Sequence, residues 1–353
     1  MVVQVAILGT GIGQQHLDAY LKMPELFNVC MIVDQDQERA NTLSDQAMCR
    51  AVTDIDSAVG DPSVDLIDIC LPPHLHVPVA LDSINNGKHV ICEKPVATSL
   101  SDLATIREAL ASSSARFYPV FQYRWGPSLT KLRHLINLGL TGEPHMASLE
   151  THWDRGSDYY SIDWRGTWAG EKGGAVLGHA IHNHDLLTHV MGRVKSVSAI
   201  TSTRINPIET EDCAAICFEM ENGAMATSSI TLGHSGNESR LRFVFEHLTA
   251  TSSTEPYAPG IQSWTFTARN PDNQKKIDEA IEQTPGEMVG FAGLFEAVAR
   301  NLSGDRGAAV TFADGYSSVE LVTAIYHAAR TGNRVVLPLP EDHSLFEGWQ
   351  PRE

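Results

Sequence analysis

Basic residues are scarce in this chain: 26 lysines and arginines stand against 43 aspartates and glutamates, for a formal net charge of −17. Without a basic excess there is little to neutralise a phosphate backbone or an anionic headgroup, so neither nucleic acid nor a membrane surface is an expected partner. Long apolar runs are also missing. Nothing approaches the roughly 18 consecutive apolar residues of a spanning helix. Cysteines number six, at positions 30, 49, 70, 92, 213 and 217, and lie mostly inside apolar runs. Only Cys213 and Cys217 are close in sequence, with no second pair, which excludes a disulfide framework or a zinc site and suggests thiols in a reducing compartment. The chain shows no internal repeat and no low-complexity stretch. Its first residues enter a strand-like run with no basic leader, so a cytoplasmic location is expected. What remains is ordinary globular material, 42% apolar and 20% charged over 353 residues, enough for two domains.

The first third alternates. Apolar runs at 2–8, 29–33, 66–71, 89–92 and 117–121 are separated by helix-like segments at 14–23, 37–48, 77–86 and 100–112. Short strands that are apolar on both faces and separated by helices predict a parallel sheet covered on both sides. In such a doubly wound sheet, ligands sit beyond the carboxyl ends of the strands, where the strand order reverses. From Trp125 the texture changes. A helix-like segment at 128–138 leads to "EPHMASLETHWDRG", another helix is expected over 175–191, and strands and hairpins follow. Asn222-Gly223, between two β-like runs, is a strong hairpin signal. The boundary therefore falls near residue 124, with an α+β domain behind it.

The stretch "AILGTGIGQQH" ends an apolar strand in Gly9, Gly11 and Gly13. A dinucleotide fingerprint G-x-G-x-x-G would place its third glycine at 14, where this chain has Gln14. Glycines let backbone approach a pyrophosphate, and a helix N-terminus supplies amide donors and the positive end of its dipole. Asp34 ends the second strand 21 residues after Gly13. A carboxylate there accepts hydrogen bonds from ribose hydroxyls and repels a 2′-phosphate, which favours NAD over NADP. It could instead cap the following helix, a task Asp36 could also perform.

The segment "DLIDICLPPHLHVPVALDSINNGKHVICEKPVATSL", residues 65–100, closely resembles the Gfo/Idh/MocA family of NAD(P)-dependent oxidoreductases. The resemblance rests on Pro72-Pro73, His76, Gly87-Lys88-His89-Val90 and Glu93-Lys94-Pro95, and extends to "LRHLINLGLTGEP", "GGAVLGHAIHNHDLL" and "ELVTAIYHAARTGNRVVLPL". It implies an N-terminal Rossmann domain over 1–124. A C-terminal α+β domain over 125–353 then carries a large, mostly antiparallel open sheet for substrate binding and oligomerisation. The cofactor is expected across Gly9, Gly11, Ile12, Gly13, Asp34, Leu71, Pro72, Pro73, His76, Glu93 and Lys94. Lys94 matches the family lysine beside the nicotinamide and the substrate hydroxyl, where an ammonium orients the hydroxyl and steadies a developing alkoxide. Glu93 is expected to position its loop. His182 matches the family's histidine base, and His179 stands at helical spacing from it. The family often carries an aspartate four residues before that histidine; this chain has Gly178 there. Asp185 orients the imidazole or serves packing.

His179, His182, His184 and Asp185 also raise the question of a metal. On one helix His184 points away from His182, and the family chemistry needs none, so no metal is expected. Crowded aromatics and arginines in "QYRWG" and "THWDRGSDYYSIDWRGTW" suit a polyhydroxylated substrate. Arg124, His152, Arg155, Tyr160, Trp164 and Arg165 are the substrate-binding candidates beside Lys94 and His182, with Arg155 and Arg165 able to grip a carboxylate. Packing against the sheet and internal ion pairs account equally well for each of them. His152 is expected to face the pocket.

The reading is an NAD-dependent dehydrogenase of a sugar, cyclitol or sugar derivative, assembled as a homodimer or homotetramer through the C-terminal sheet. Two alternatives stand beside it: a redox-neutral enzyme that retains NAD, such as an epimerase or a glycoside-cleaving enzyme, and a non-catalytic regulator sensing NAD and sugar.

Overall fold

A computed structural model describes residues 2–305, 307 and 309–351. The chain divides into two compact units. In the first, strands β1 (Val3–Leu8), β2 (Phe27–Val33), β3 (Arg50–Val52), β4 (Leu66–Ile69), β5 (His89–Cys92) and β6 (Phe117–Pro119) alternate with helices. These are α1 (Gly13–Tyr20), α2 (Gln37–Ala47), α3 (Asp56–Val59), α4 (Pro73–Asn85) and α5 (Leu100–Ala111). All strand pairs are parallel, in the order β3-β2-β1-β4-β5-β6. The order reverses between β1 and β4, so the loops after those two strands flank the point where doubly wound sheets bind ligands.

Local chemistry starts the helices. Asp36 caps α2, its side chain accepting from the Glu38 and Arg39 amides, and Ser99 caps α5 by accepting from the Asp102 amide. Pro73 opens α4, where a missing N–H costs nothing. The turn after β1 needs glycine at its first position. Gly9 has φ +95°, and a Cβ there would sit 2.5 Å from the Cys70 carbonyl oxygen. Gly9→Ala is therefore expected to destabilise the protein by about 2–5 kcal/mol, from backbone strain plus overpacking. Urea denaturation measures this, and a loss below about 0.5 kcal/mol would contradict the account.

The first unit does not end for good near residue 124. It closes at Gln122 and regains Phe291–Val319. The reason is aromatic packing: Phe295, from the helix Gly290–Leu302, stacks on Tyr20 at 4.2 Å, and Phe291 lies 4.5 Å from the His16 ring.

The second unit takes Tyr123–Gly290 and Glu320–Glu353. Its strands are β7 (Pro144–Asp154), β8 (Val194–Ser202), β9 (Cys213–Met220), β10 (Met225–Thr231), β11 (Gly233–Phe245), β12 (Leu248–Thr251), β13 (Thr265–Ala268) and β14 (Val335–Val336). They form one eight-stranded sheet, β13-β12-β11-β7-β10-β9-β8-β14, in which β10 and β7 are parallel and every other pair is antiparallel. Asn222 and Gly223 turn the β9–β10 hairpin, Gly223 at φ +87°. Its helices include α6 (Pro127–Asn137), α7 (Ala175–Gly178) and α8 (Ile181–Met191), with others at Gln274–Glu282 and at Phe312–Thr331, the last beginning in the first unit. The helix expected over 175–191 is thus broken at His179 and Ala180. No helix among the described residues is long and apolar enough to cross a membrane.

Candidate functional site

The glycine loop fills the bend between β1 and α1. Gly13 opens α1, and a Cβ on it would lie 3.0 Å from Ile7 Cγ2 and 3.7 Å from the Cys70 side chain. It holds the helix close to the sheet, the packing task of the third glycine in a longer loop. A Cβ on Gly11 would meet no protein atom within 4 Å, so this residue leaves its backbone open to approach.

Asp34 stands at the end of β2 and does not cap α2; Asp36 does. One Asp34 oxygen accepts from the Thr10 amide (3.1 Å) and hydroxyl (2.6 Å), and the other from the Asp36 amide (3.0 Å) and Arg39 Nη2 (2.7 Å). Burial opposes its charge, but those donors outweigh it and hold the carboxyl below its ordinary pKa. Thr10 and Arg39 were not singled out by the sequence. Only the fold shows that they meet the same carboxylate.

Beyond β4 and β5 lie the two loops of the E-K-P region. Leu71, Pro72 and Pro73 carry the chain from β4 into α4. His76 does not face a ligand: it is 1% exposed, with one ring nitrogen 2.7 Å from the Pro95 carbonyl oxygen and the other 2.7 Å from that of Leu71. Both nitrogens are spent on backbone, so its assignment to cofactor binding is corrected to a brace between the two loops. Glu93 follows β5 directly, and one of its carboxylate oxygens accepts the backbone N–H of Lys94 at 3.0 Å. Lys94 therefore leaves a buried strand at its carboxyl end, on the rim where the glycine loop also lies.

In the second unit, His179 and His182 are both buried, at 7% and 6% exposure. Because the helix breaks between them, they do not share the one continuous face assumed from their spacing. Tyr123 stacks on His182 at 4.3 Å, while Trp153 and Tyr159 flank His179 at 5.3 and 5.8 Å. His184 turns away and meets the Ser228 hydroxyl at 3.0 Å; burial pushes its pKa down to about 4. Asp185 is held by an arginine. Arg124 donates to it through Nε (2.8 Å) and Nη2 (2.6 Å), both side chains almost fully buried. This bidentate pair fixes the Arg124 guanidinium through Nε and Nη2.

Removing one partner of a buried ion pair leaves its charge costly. Arg124→Met is expected to lower stability by about 3–5 kcal/mol, and Arg124→Met with Asp185→Leu to recover much of that loss. Chemical denaturation of the three proteins decides it: a double variant as weak as the single one would contradict the pairing.

The four residues considered for a metal thus do not converge. Among the described residues, His16, Asp68 and Cys70 form the one group of possible ligands with atoms close enough to share an ion. Those atoms already serve one another as hydrogen-bond partners.

The remaining substrate candidates divide. His152 is a correction. Strand alternation puts Thr151 and Trp153 on the face covered by α8, where Asn183 Nδ2 donates to the Thr151 hydroxyl, and turns His152 to the opposite face. There it meets the Ser229 hydroxyl at 2.8 Å and the His234 ring at 5.8 Å. Arg155 donates to Asn237 Oδ1 (2.9 Å) and to the Tyr257 hydroxyl (2.8 Å) and lies over the rings of Trp153 and Tyr159. Arg165 lies 4.0 Å from the Tyr159 ring centre and 4.8 Å from that of Trp164, with Glu171 at 3.8 Å. Tyr160 packs under Gly166, and Trp164 is half exposed. Asp154, Arg155, Gly156, Ser157, Asp158, Tyr159 and Tyr257 line a cavity of about 540 Å³, within the range of small-molecule sites. Asn237 and Tyr257 carried no signal in the sequence, since their partners lie tens of residues away.

Comparison with known proteins adds what geometry alone does not. Residues 3–121 match the model of the oxidoreductase family with an NAD-binding Rossmann fold, and residues 129–251 match that of the GFO/IDH/MocA C-terminal domain. An uncharacterised oxidoreductase, YrbE of Bacillus subtilis, is 29% identical over 62% of this chain and 64% of its own length, so the chain aligns with just under two thirds of that relative. Inositol 2-dehydrogenase 3 of Saccharopolyspora erythraea is 24% identical over 99% of both chains. Among solved structures, the WlbA dehydrogenase of Bordetella pertussis, in complex with NADH and UDP-GlcNAcA, superposes with a TM-score of 0.83 at 27% identity, over 96% of this chain and all of that one.

Proposed function

From the premise that the chain belongs to the Gfo/Idh/MocA oxidoreductase family, we propose that it is an NAD-dependent dehydrogenase oxidising a secondary hydroxyl of a sugar, cyclitol or sugar derivative. The observation that carries this reading is the position of Lys94. It follows the carboxyl end of the buried strand β5, on the rim that also holds the glycine loop and Asp34. Two of the named relatives carry sugar-like molecules in their names or structures, inositol in one and a nucleotide-linked sugar acid in the other.

The residues present fit the cofactor. Gly11 leaves the loop backbone uncovered, α1 begins at Gly13 with no side chain capping its N-terminus, which suits a pyrophosphate, and Asp34 can take ribose hydroxyls. Asp34 is the ground for preferring NAD; Arg39 on the same carboxylate offsets part of that preference. The nicotinamide supplies a hydride acceptor. The chain's own residues do the rest: the Lys94 ammonium donates to the substrate oxygen and stabilises its developing charge, and His182 takes the hydroxyl proton. His179 is assigned to the same reaction as partner to His182. The polar cavity at Arg155 and Tyr159 suits hydroxyls or a carboxylate of such a substrate.

We further assign a homodimer or homotetramer formed through the second unit's sheet. Ile200, Met225 and Met146 project from the face opposite α8, at 72%, 57% and 37% exposure, and such apolar exposure on a sheet face marks an interaction surface. Six free cysteines fit a reducing, cytoplasmic setting.

The test is a panel of polyols, aldoses, uronates and cyclitols incubated with NAD and followed at the reduced-nicotinamide absorbance band. At least one class should yield NADH. Tight NAD retention with no NADH from any of them would overturn the dehydrogenase reading in favour of redox-neutral chemistry.

A further inference from the structure

A buried chain of charged groups runs beneath the E-K-P loop, and the proposed chemistry does not use it directly. His16 sits on α1, three residues after Gly13, and is fully buried. Its Nδ1 lies 2.9 Å from Asp68 Oδ2, and its Nε2 lies 3.2 Å from Glu93 Oε1. Asp68 is also fully buried, in the middle of the otherwise apolar strand β4, and the same oxygen accepts the Tyr20 hydroxyl at 2.9 Å. The other Glu93 oxygen accepts the Lys94 backbone N–H.

Carboxylates accept hydrogen bonds and do not donate them, so a ring that serves both of them donates from both nitrogens and is an imidazolium. Burial by itself would lower the His16 pKa. The Asp68 charge and hydrogen bond overcome it, and the pKa is held well above the ordinary imidazole value. The Cys70 thiol beside the ring, 3.3 Å from Nδ1, stays protonated, its pKa pushed up to about 12 by burial. Phe291 and Phe295 close the ring in at 4.5 and 5.2 Å.

Such a cluster is a poor device for stability. Desolvating two carboxylates and an imidazolium costs about as much as their attraction returns, and apolar residues would fill the same volume more cheaply. What it does supply is direction: a carboxylate gripped from one side by a cation holds its other oxygen, and the N–H bonded to it, in a fixed place.

Resting on the dehydrogenase reading above, we propose that His16 is a positioning residue for Lys94, acting through Glu93. The geometry also ties two functional loops together. The helix whose first turn follows the glycine loop carries the imidazolium that fixes the start of the lysine loop. Loop placement near the cofactor and lysine placement near the substrate hydroxyl are then set by one rigid element.

The test uses the full chain with His16→Gln, Glu93→Gln and both together. The readout independent of turnover is competitive acetylation of lysines by acetic anhydride, quantified by mass spectrometry. Lys94 reactivity should change at least about fivefold in each single variant, while Lys22 and Lys131 stay within about twofold. In turnover, kcat should fall by about 10- to 100-fold with KM for NAD within about threefold, the signature of a group that acts on the reacting geometry and not on binding. The double variant should be no worse than the worse single one, because both residues lie on one path. Unchanged Lys94 labelling in a folded single variant, or fully additive losses of kcat, would overturn the proposal. If His16→Gln does not fold, Glu93→Gln alone must show the labelling change, and its failure to do so overturns the proposal equally. Should no sugar yield NADH with the unaltered chain, the dehydrogenase reading fails while the labelling result still decides the link from His16 to Lys94.

Discussion

Lys94→Ala is expected to lower kcat by about 10²- to 10⁴-fold, the usual worth of a positioned donor to a developing oxyanion combined with proton assistance. NADH affinity should stay within about tenfold, since the glycine loop and Asp34 are the residues proposed to hold the distant end of the dinucleotide. Lys94→Arg keeps the charge but not the compact ammonium, and should recover little. The split between kcat and NADH binding is the informative part, read by steady-state kinetics alongside fluorescence titration of NADH. A variant that loses NADH binding and keeps turnover at saturating cofactor would place Lys94 among the cofactor ligands only. The fold should survive, because Lys94 is held through its backbone N–H by Glu93, and alanine retains that group.

His182→Ala is expected to cost a comparable factor, about 10²- to 10⁴-fold in kcat, because the hydroxyl proton loses its acceptor. Its distinguishing signature is in pH. With His182 as the base, kcat/KM of the unaltered enzyme should rise with pH through an acid limb; in His182→Ala that limb should vanish, leaving a low rate that follows hydroxide. The prediction applies to His182 rather than His184, which lies on the same helix but faces Ser228, so His184→Ala should leave the limb in place. If the limb disappears from the His184 variant and persists in the His182 variant, the assignment of the base is wrong. A second base adjacent to His182 would show as a shifted limb rather than a missing one, and His179→Ala then identifies it.

Much of the first unit was legible in the sequence because each signal there is local. A short apolar run, a glycine bend and a helix fix β1, Gly9 and α1 within twenty residues, and the period of the strands fixes a sheet buried on both faces. Asp34 at a strand end was visible for the same reason, and the choice between Asp34 and Asp36 as the cap of α2 fell to the one with free reach to the Glu38 amide. The Asn222-Gly223 hairpin was equally local.

What escaped depended on contacts between distant parts of the chain. The return of Phe291–Val319 to the first unit rests on Phe295 meeting Tyr20, far apart in sequence. The Arg124–Asp185 pair left no trace because its partners lie 61 positions apart. His152 failed on parity: a strand turns each successive side chain to the opposite face, and position in a motif does not reveal which face the helix will cover. Asp68 did leave a trace, an acid inside an apolar run, and His16 stood in the helix after the glycines. Neither pattern alone could show that they share a hydrogen bond.

The most direct measurement of the central claim is isotopic. A substrate identified in the panel is prepared with deuterium on the carbinol carbon, and the NADH formed is examined by mass spectrometry and by proton NMR of nicotinamide C4. The account predicts one deuterium per NADH, on a single face of C4, together with a primary isotope effect on the chemical step. Deuterium released to water, with none on the nicotinamide, would contradict hydride transfer from the sugar and with it the function proposed for this chain.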